Sequence, residues 1–194
     1  MENKKYTGLG YYEHTDGGEY KGEFVDGKYH GFGIMTFSNN DLYEGDWQDG
    51  LMHGIGEYHY FDSNKDRYVA DYKGEFKHGV RDGAGRMTYA NRNIYEGQWQ
   101  NDKRTGEGIC WYSNGDCFHG IWKFDKMVRG IYYLNDSGDK YDGEIKDGKF
   151  DGYGKYYWNS GNWFEGIFKD GKPYCGVLVS PCGTMTEIKD GINK

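Results

Sequence analysis

The chain has 194 residues, of which 33 are glycine and 2 are proline, and its formal net charge is −7. This charge argues against nucleic-acid binding, which needs a clustered excess of Lys and Arg, and it disfavours docking on an anionic membrane. Leu, Ile, Val and Phe are scarce, but 20 Tyr and 6 Trp supply apolar area, so the composition predicts an ordered, thin structure.

No targeting or cofactor signal stands out. No apolar run approaches the roughly 18–20 residues of a membrane span, and residues 1–10 lack the apolar core of a signal peptide, which together predict a cytoplasmic protein. The four cysteines form no Cys-x-x-Cys motif, and no His lies at zinc-finger spacing, so we expect neither metal nor disulfide. They are Cys110, Cys117, Cys175 and Cys182.

The chain repeats itself with a period of 23 residues. An aromatic-x-Gly triplet recurs at this spacing, except for one interval of 29 that contains a six-residue insertion within Phe61–Asp71. The triplets start at Tyr20, Tyr43, Tyr72, Tyr95, Phe118, Tyr141 and Phe164. The predicted organisation is a half repeat at 1–19, seven repeats at 20–42, 43–71, 72–94, 95–117, 118–140, 141–163 and 164–186, and a tail at 187–194.

Each repeat predicts a β-hairpin. Alternation of aromatic, polar, Gly, polar and apolar residues over 43–47 is typical of a half-buried strand, and Asp49-Gly50 supplies a turn. A Gly-x-Gly pair at Gly54 and Gly56 then leads into a second alternating segment. The acidic residues between the strand-one aromatics, such as Glu23 and Asp46, are interpreted as a solvated face.

The predicted fold is all-β: a single-layer antiparallel meander that twists into an elongated, grooved half-pipe. One face would carry the aromatic residues and the other face the charged ones. Strand-one aromatics are expected to pack against each other. For five rings at the end of strand two, packing and partner contact are both open, and these rings form the candidate partner-binding groove. They are Phe37, Tyr60, Tyr89, Tyr112 and Trp158.

The segment from Tyr43 to Gly56 resembles the MORN (membrane occupation and recognition nexus) repeat. It contains Tyr-x-Gly-x-Trp followed by His53-Gly54-x-Gly56, and the pattern recurs in register along nearly the whole chain. The repeats from Phe118 and Phe164 depart from it, with one Gly displaced to Gly130 and Gly176, so the sequence leaves their hairpin geometry undefined. The last repeat is expected to act as a cap.

Nothing in the sequence indicates catalysis. The histidines His30 and His53 recur with the period, which favours a structural role, and Gly31-x-Gly33 is not followed by a helix that could bind phosphate. The repeats leave no room for the catalytic domains that accompany MORN repeats in some lipid kinases and methyltransferases. We therefore expect no enzyme and no cofactor.

The resemblance implies a scaffold that binds other proteins, within a cytoskeletal, ciliary or axonemal assembly. Residues 89–108 look similar to short stand-alone MORN proteins of cilia and sperm. The alternative is the function in the family name, peripheral binding to phosphoinositide membranes, although the basic residues alternate with acidic ones. A homodimer through a C-terminal edge around Val177–Val179 is a third possibility. The two irregular repeats and the insertion are where partner specificity is expected.

Overall fold

A computed structural model describes residues 6–193, and within them every regular element is a β-strand. The first eight strands are β1 (Gly8–Glu13), β2 (Glu19–Val25), β3 (Lys28–Thr36), β4 (Leu42–Gln48), β5 (Leu51–Asp62), β6 (Arg67–Lys77), β7 (Val80–Thr88) and β8 (Ile94–Gln100). The others are β9 (Lys103–Trp111), β10 (Cys117–Lys123), β11 (Lys126–Leu134), β12 (Asp139–Lys146), β13 (Lys149–Tyr157), β14 (Trp163–Lys169), β15 (Lys172–Val179), β16 (Met185–Lys189) and β17 (Ile192–Asn193).

The chain divides into two compact units, the first ending at Lys103 and the second beginning at Arg104. Within the first unit, each strand from β1 to β8 pairs antiparallel with the next. Within the second unit, the strands from β9 to β17 pair in the same way. The predicted all-β antiparallel meander is confirmed.

In each unit the core includes the first ring of each repeat. These rings are completely buried: Tyr20, Tyr43, Tyr72, Tyr95, Phe118, Tyr141 and Phe164. Each can lie flat because two glycines face each other on neighbouring strands. A Cβ added to Gly45 would come within 2.5 Å of Gly56 Cα and 2.6 Å of Tyr43 Oη, so the glycines make the space that the ring fills.

Where the first ring of a repeat is tyrosine, its hydroxyl is bonded to the same repeat, and three tryptophans are bonded to the repeat before their own. The Tyr43 hydroxyl donates to the Asp46 carbonyl at 2.9 Å, and Trp47 Nε1 donates to the carbonyl of Gly33 in the preceding repeat at 3.1 Å. Lysines and arginines add ion pairs 21 residues apart, including Arg81 to Asp102 at 2.9 Å. Neighbouring repeats are therefore tied together by packing, hydrogen bonds and charge.

The Asp-Gly turns between the two strands of a repeat have the predicted geometry. Asp49 has φ 53° and Gly50 φ 89°, and the same pair of positive values recurs at Asp147 and Gly148. Two successive positive φ angles are what the right-handed twist of a two-residue hairpin needs, and Asp and Gly are among the residues that adopt them at lowest cost.

Three features differ from, or add to, the sequence expectation. The insertion lengthens one hairpin, whose added pairs include Tyr60 with Ala70 and Asp62 with Arg67. Residues 187–193, assigned to a tail, contribute to β16 and β17. The segment Val177–Val179 is not an edge, because β15 pairs with β14 on one side and with β16 on the other.

Candidate functional site

The Gly-x-Gly pair of a regular repeat forms a bulge of two residues, here called the wide bulge. Gly45 faces Gly56 and Trp47 faces Met52, so Gly54 and Ile55 are extra on the second strand. Gly54 has φ 60°, a conformation that favours glycine. Wide bulges with this register also occur at Gly31, Gly83 and Gly152.

A carboxylate of strand one closes each wide bulge of the first unit. Asp46 Oδ2 accepts the Ile55 backbone N–H at 3.0 Å, Glu23 accepts that of Phe32 at 3.2 Å, and Glu75 accepts that of Ala84 at 2.7 Å. These acids are exposed, as expected for a solvated face, but each also accepts a backbone hydrogen bond that the sequence did not predict. Sequence reasoning missed it because the alternation shows which face a residue occupies but not that a bulge exposes an amide there.

In the two irregular repeats, the second strand has a bulge of one residue, here called the narrow bulge. Gly120 faces Gly130 and Trp122 faces Met127, which leaves only Val128 extra, and Gly166 faces Gly176 in the same way. The displaced glycine thus restores the facing pair. The first ring is Phe instead of Tyr in both repeats, and the fourth position is apolar, with Ile121 and Ile167 each 41% exposed.

The five predicted groove rings are all half-buried, and Phe37, Tyr60, Tyr112 and Trp158 pack on neighbouring tyrosines. Phe37 and Tyr60 both contact the Tyr58 ring, at centroid distances of 5.6 and 4.6 Å. Tyr112 stacks on Tyr132 and Trp158 packs on Tyr156. The structure therefore places Phe37 and Tyr60, which come from neighbouring repeats, in one cluster, and Tyr112 and Trp158 in clusters with other tyrosines.

The tyrosines beneath these clusters are held by buried or half-buried aspartates. Asp41, 7% exposed, accepts the Tyr58 hydroxyl at 3.0 Å and the Phe61 backbone N–H at 2.7 Å. Asp116 repeats the arrangement with Tyr132 at 3.3 Å. Burial, followed by the charge of Asp116, raises the pKa of Tyr132 to about 12. The clusters have the satisfied hydrogen bonds expected of structural packing.

The opposite face, here called the outer face, carries a row with four aromatic rings in the second unit, and two of these rings are exposed. Directly paired residues on successive strands form this aromatic row, which consists of Trp111, Cys117, Tyr133, Lys140, Tyr157 and Trp163. With strands about 4.8 Å apart, the row extends for about 24 Å. Trp111 is 38% exposed and Tyr133 47%.

Two lysines lie over rings of the aromatic row. Lys140 Nζ is 4.3 Å from the centroid of Tyr157, and Lys155 Nζ is 4.0 Å from that of Trp163. Lys155 also pairs with Glu165 at 3.2 Å. Cations at these distances from ring centroids are attracted to the ring faces. The row therefore combines apolar surface with positive charge.

The equivalent row of the first unit has no Trp, Tyr or Phe and is mostly polar. It consists of Glu13, Glu19, Thr36, Leu42, His59, Asp71, Thr88 and Ile94. A sequence signal for the difference exists. Three consecutive large residues, as in Tyr156-Tyr157-Trp158, interrupt the alternation in the second unit, whereas the first unit has Met35-Thr36-Phe37.

The cysteines and other ionisable groups form no metal site in the part of the chain that the structure describes. Cys110 is buried, and burial raises the pKa of its thiol. Cys182 is exposed, and hydrogen bonds with Ser180 and Thr184 lower the pKa of its thiol to about 7. Across residues 6–193, no helix is present that could span a membrane.

The chain is similar to solved β-sheet structures at low identity. One is the TCP domain of SAS-4 (dCPAP) of Drosophila melanogaster, in complex with a proline-rich motif of Ana2 (dSTIL). The two sequences are 12% identical, the match covers 92% of this chain and 88% of the TCP-domain chain, and the TM-score is 0.49. Another is the TCP10 domain of Danio rerio CPAP in complex with a peptide of STIL, at 11% identity, with coverage of 96% and 97% and a TM-score of 0.46. No curated protein matches the chain.

A family model for the MORN repeat matches five segments, at residues 20–42, 43–65, 72–94, 95–117 and 141–163. These are the repeats with the regular Gly-x-Gly spacing, and together they cover more than half of the chain. The two repeats with narrow bulges fall outside the matched segments. The chain belongs to the MORN repeat family.

Proposed function

We propose that this protein is a non-catalytic scaffold that binds another protein through the aromatic row of its second unit. The observation that carries the proposal is the exposure of Trp111 and Tyr133 in one continuous row, on the face opposite the packed core. Trp and Tyr are the residues most enriched where binding energy concentrates in interfaces, and exposed apolar patches of this kind mark interaction sites.

The five groove rings predicted from the sequence are a second proposed contact set. The geometry favours the aromatic row over them, because Phe37 and Tyr60 share the Tyr58 ring and Tyr112 and Trp158 rest on tyrosines of their own clusters. A partner would have to displace that packing to use them fully.

We also propose a cytoskeletal or ciliary setting, which is supported by the resemblance of residues 89–108 to stand-alone MORN proteins of cilia. Membrane binding is the competing function. The lysines that lie over the aromatic row, Lys140 and Lys155, favour it, whereas the net charge of −7 opposes it. Dimerisation through the C-terminal repeat stays a prediction, and removal of residues 164–194 tests it by light scattering.

The test compares wild-type protein with a Trp111→Ser, Tyr133→Ser double variant in affinity capture from ciliated cells. Phe32→Ser is the matched control, because Phe32 is 50% exposed on the outer face of the first unit. We expect the double variant to lose specific partners that the wild type and the control retain, with thermal unfolding unchanged within a few degrees.

Retention of the same proteins by all three forms would contradict the proposal. Flotation with phosphoinositide vesicles separates the membrane alternative. Salt-sensitive flotation that depends on Lys140 and Lys155 would replace protein binding by lipid binding as the function of this surface.

A further inference from the structure

The two exposed rings of the aromatic row have polar groups that the chain itself does not use. Among residues 6–193, no hydrogen bond involves Trp111 Nε1 or the Tyr133 hydroxyl. Elsewhere in the second unit, Trp122 Nε1 donates to a backbone carbonyl at 3.2 Å, and the exposed Tyr153 hydroxyl donates to Glu165 at 2.8 Å. The aromatic row therefore presents two hydrogen-bond donors that are available to a partner.

A small side chain separates these two rings. Cys117 of β10 pairs directly with Trp111 of β9 on one side and with Tyr133 of β11 on the other. Because side chains stand roughly perpendicular to a sheet and that of Cys117 is short, the two rings flank a recess one strand wide. Ile109 and Ile131, two residues before the rings on the same strands, are half-buried and add apolar surface beside the recess.

A second recess lies two strands further along the aromatic row. Lys140 of β12 pairs directly with Tyr133 and with Tyr157. Its ammonium group lies to one side, 4.3 Å from the centroid of Tyr157, so its apolar stem forms the floor between the two rings. Because neighbouring strands are about 4.8 Å apart, the two recesses, centred on Cys117 and Lys140, are about 9.6 Å apart.

The distance between the recesses matches the repeat of a polyproline II helix. This helix has three residues per turn and rises about 3.1 Å per residue, so every third side chain recurs at about 9.3 Å. A β-strand repeats one face about every 6.6 Å, which does not match. An extended segment in the polyproline II conformation, lying across the strands, can therefore place every third residue in a recess.

The hydrogen bonds of the sheet favour the same backbone. Each strand from β10 to β14 pairs with a neighbour on both sides, so a segment lying on their outer face gains no ladder hydrogen bonds. An α-helix bonds its carbonyls internally and would leave Trp111 Nε1 and the Tyr133 hydroxyl without acceptors. A polyproline II segment has no internal hydrogen bonds, so its carbonyls can accept from both donors.

We propose that the aromatic row binds a proline-rich segment of a partner protein in the polyproline II conformation, with prolines three residues apart in the two recesses. This inference rests on the proposed function, because it names the occupant of the same surface. Proline-rich segments dock on aromatic-lined surfaces with little loss of conformational entropy, since their helix is largely formed before binding.

The charge of the aromatic row predicts an acidic residue in the segment. Lys155 pairs with Glu165 at 3.2 Å, whereas no carboxylate within the described range 6–193 pairs with Lys140. A carboxylate of the partner beside Lys140 would form a charge-assisted hydrogen bond there. The preferred segment is therefore Pro-x-x-Pro with Glu or Asp at one of the two intervening positions.

The probe is a fluorescein-labelled peptide with the sequence Pro-Pro-Glu-Pro-Pro-Glu-Pro-Pro, titrated against the full chain by fluorescence anisotropy. In one control peptide Ala replaces every proline, and in a second Gln replaces both glutamates. We expect saturable binding of the probe, at least tenfold weaker binding of the alanine peptide and severalfold weaker binding of the glutamine peptide.

Trp111→Ser and Tyr133→Ser are each expected to weaken binding of the probe at least tenfold. Trp111→Phe keeps a ring but lacks the N–H donor, so it should weaken binding severalfold. Lys140→Gln should abolish the preference for the probe over the glutamine peptide. Phe32→Ser is the control, since Phe32 lies on the outer face of the first unit, and it should bind the probe as the wild type does.

Absence of saturable binding to the wild type, or equal binding of the proline and alanine peptides, would overturn the proposal. Binding of the probe that neither Trp111→Ser nor Tyr133→Ser weakens would also overturn it. If the double variant loses captured partners while the wild type does not bind the probe, the proposed function stands and the proline-rich occupant is rejected.

Discussion

The hairpins that begin at Tyr43 and Phe118 reach the same facing glycine pair by different routes. The first has a wide bulge, a tyrosine hydroxyl bonded to the Asp46 carbonyl and a carboxylate on the Ile55 amide. The second has a narrow bulge, a phenylalanine and Ile121. Tyrosine, acid and Gly-x-Gly are therefore replaced together, which indicates that they act as one unit satisfying the backbone groups of the wide bulge.

The comparison also explains why the outer faces of the two units differ. Where the bulge is narrow, the acid is not needed, and Ile121 and Ile167 take its place on the outer face of the second unit. The narrow repeats thereby contribute to the apolar surface around the aromatic row. The narrow bulge thus accommodates an apolar residue at a position that is acidic or amide-bearing in the regular repeats.

The largest difference between the tyrosine and the phenylalanine repeats is expected in the pH dependence of the free energy of unfolding above pH 10. Burial raises the pKa of Tyr20 to about 12 and also raises that of Tyr43, whereas Phe118 and Phe164 cannot ionise. Between the unfolded value near 10 and the folded value, the unfolded chain releases protons that the folded chain retains. Stability is therefore fully present below pH 10 and falls as the pH rises.

Urea unfolding at about pH 9 and about pH 11 measures this loss. Tyr43→Phe should be about 1 kcal/mol less stable at the lower pH, for want of one hydrogen bond, but should lose less on going to the higher pH. Phe118→Leu is the control, because it alters a buried ring without changing an ionisable group. An identical loss in Tyr43→Phe and wild type would count against the prediction.

The second prediction concerns the bulge itself. Gly54→Val should cost about 3 kcal/mol, because Gly54 has φ 60° and a Cβ there would lie 2.5 Å from Asp46 Oδ2. Val128→Ala, in the narrow bulge, should cost less than about 1 kcal/mol, because the Val128 side chain is half-exposed and loses little packing when it is shortened. Equal losses in chemical denaturation would show that the two bulges do not differ as described.

The smallest effect is expected from the acid. Asp46→Ala removes the acceptor of the Ile55 amide in an exposed setting and should cost about 1 kcal/mol. The same change at Asp142, an exposed acid of strand one that does not close a bulge, is the control and should change the midpoint of unfolding little. Faster hydrogen exchange at Ile55 in Asp46→Ala would locate the effect, and unchanged exchange there would refute the capping role.

The sequence predicted the period, the strands and the Asp-Gly turns, because each follows from local alternation and from residues that tolerate positive φ. It also marked the repeats from Phe118 and Phe164 as irregular. It did not reveal that Gly130 restores the glycine pair, since the length of a bulge depends on cross-strand register. The aromatic row was missed for a similar reason: Trp111 and Tyr133 become neighbours only when the strands are paired.

The contacts that bind each repeat to the one before it have a consequence for how such a chain can change length. Trp122 Nε1 donates to the Gly108 carbonyl, and Lys126 pairs with Asp147, so these links within the second unit span at most 21 residues. Because each repeat contacts only its neighbours, a whole repeat can be inserted or deleted while only one interface between repeats has to form anew. A single inserted residue would instead invert the two faces of a strand. Gene duplication in multiples of one repeat is therefore a path to a longer chain that keeps the two faces of every strand in place.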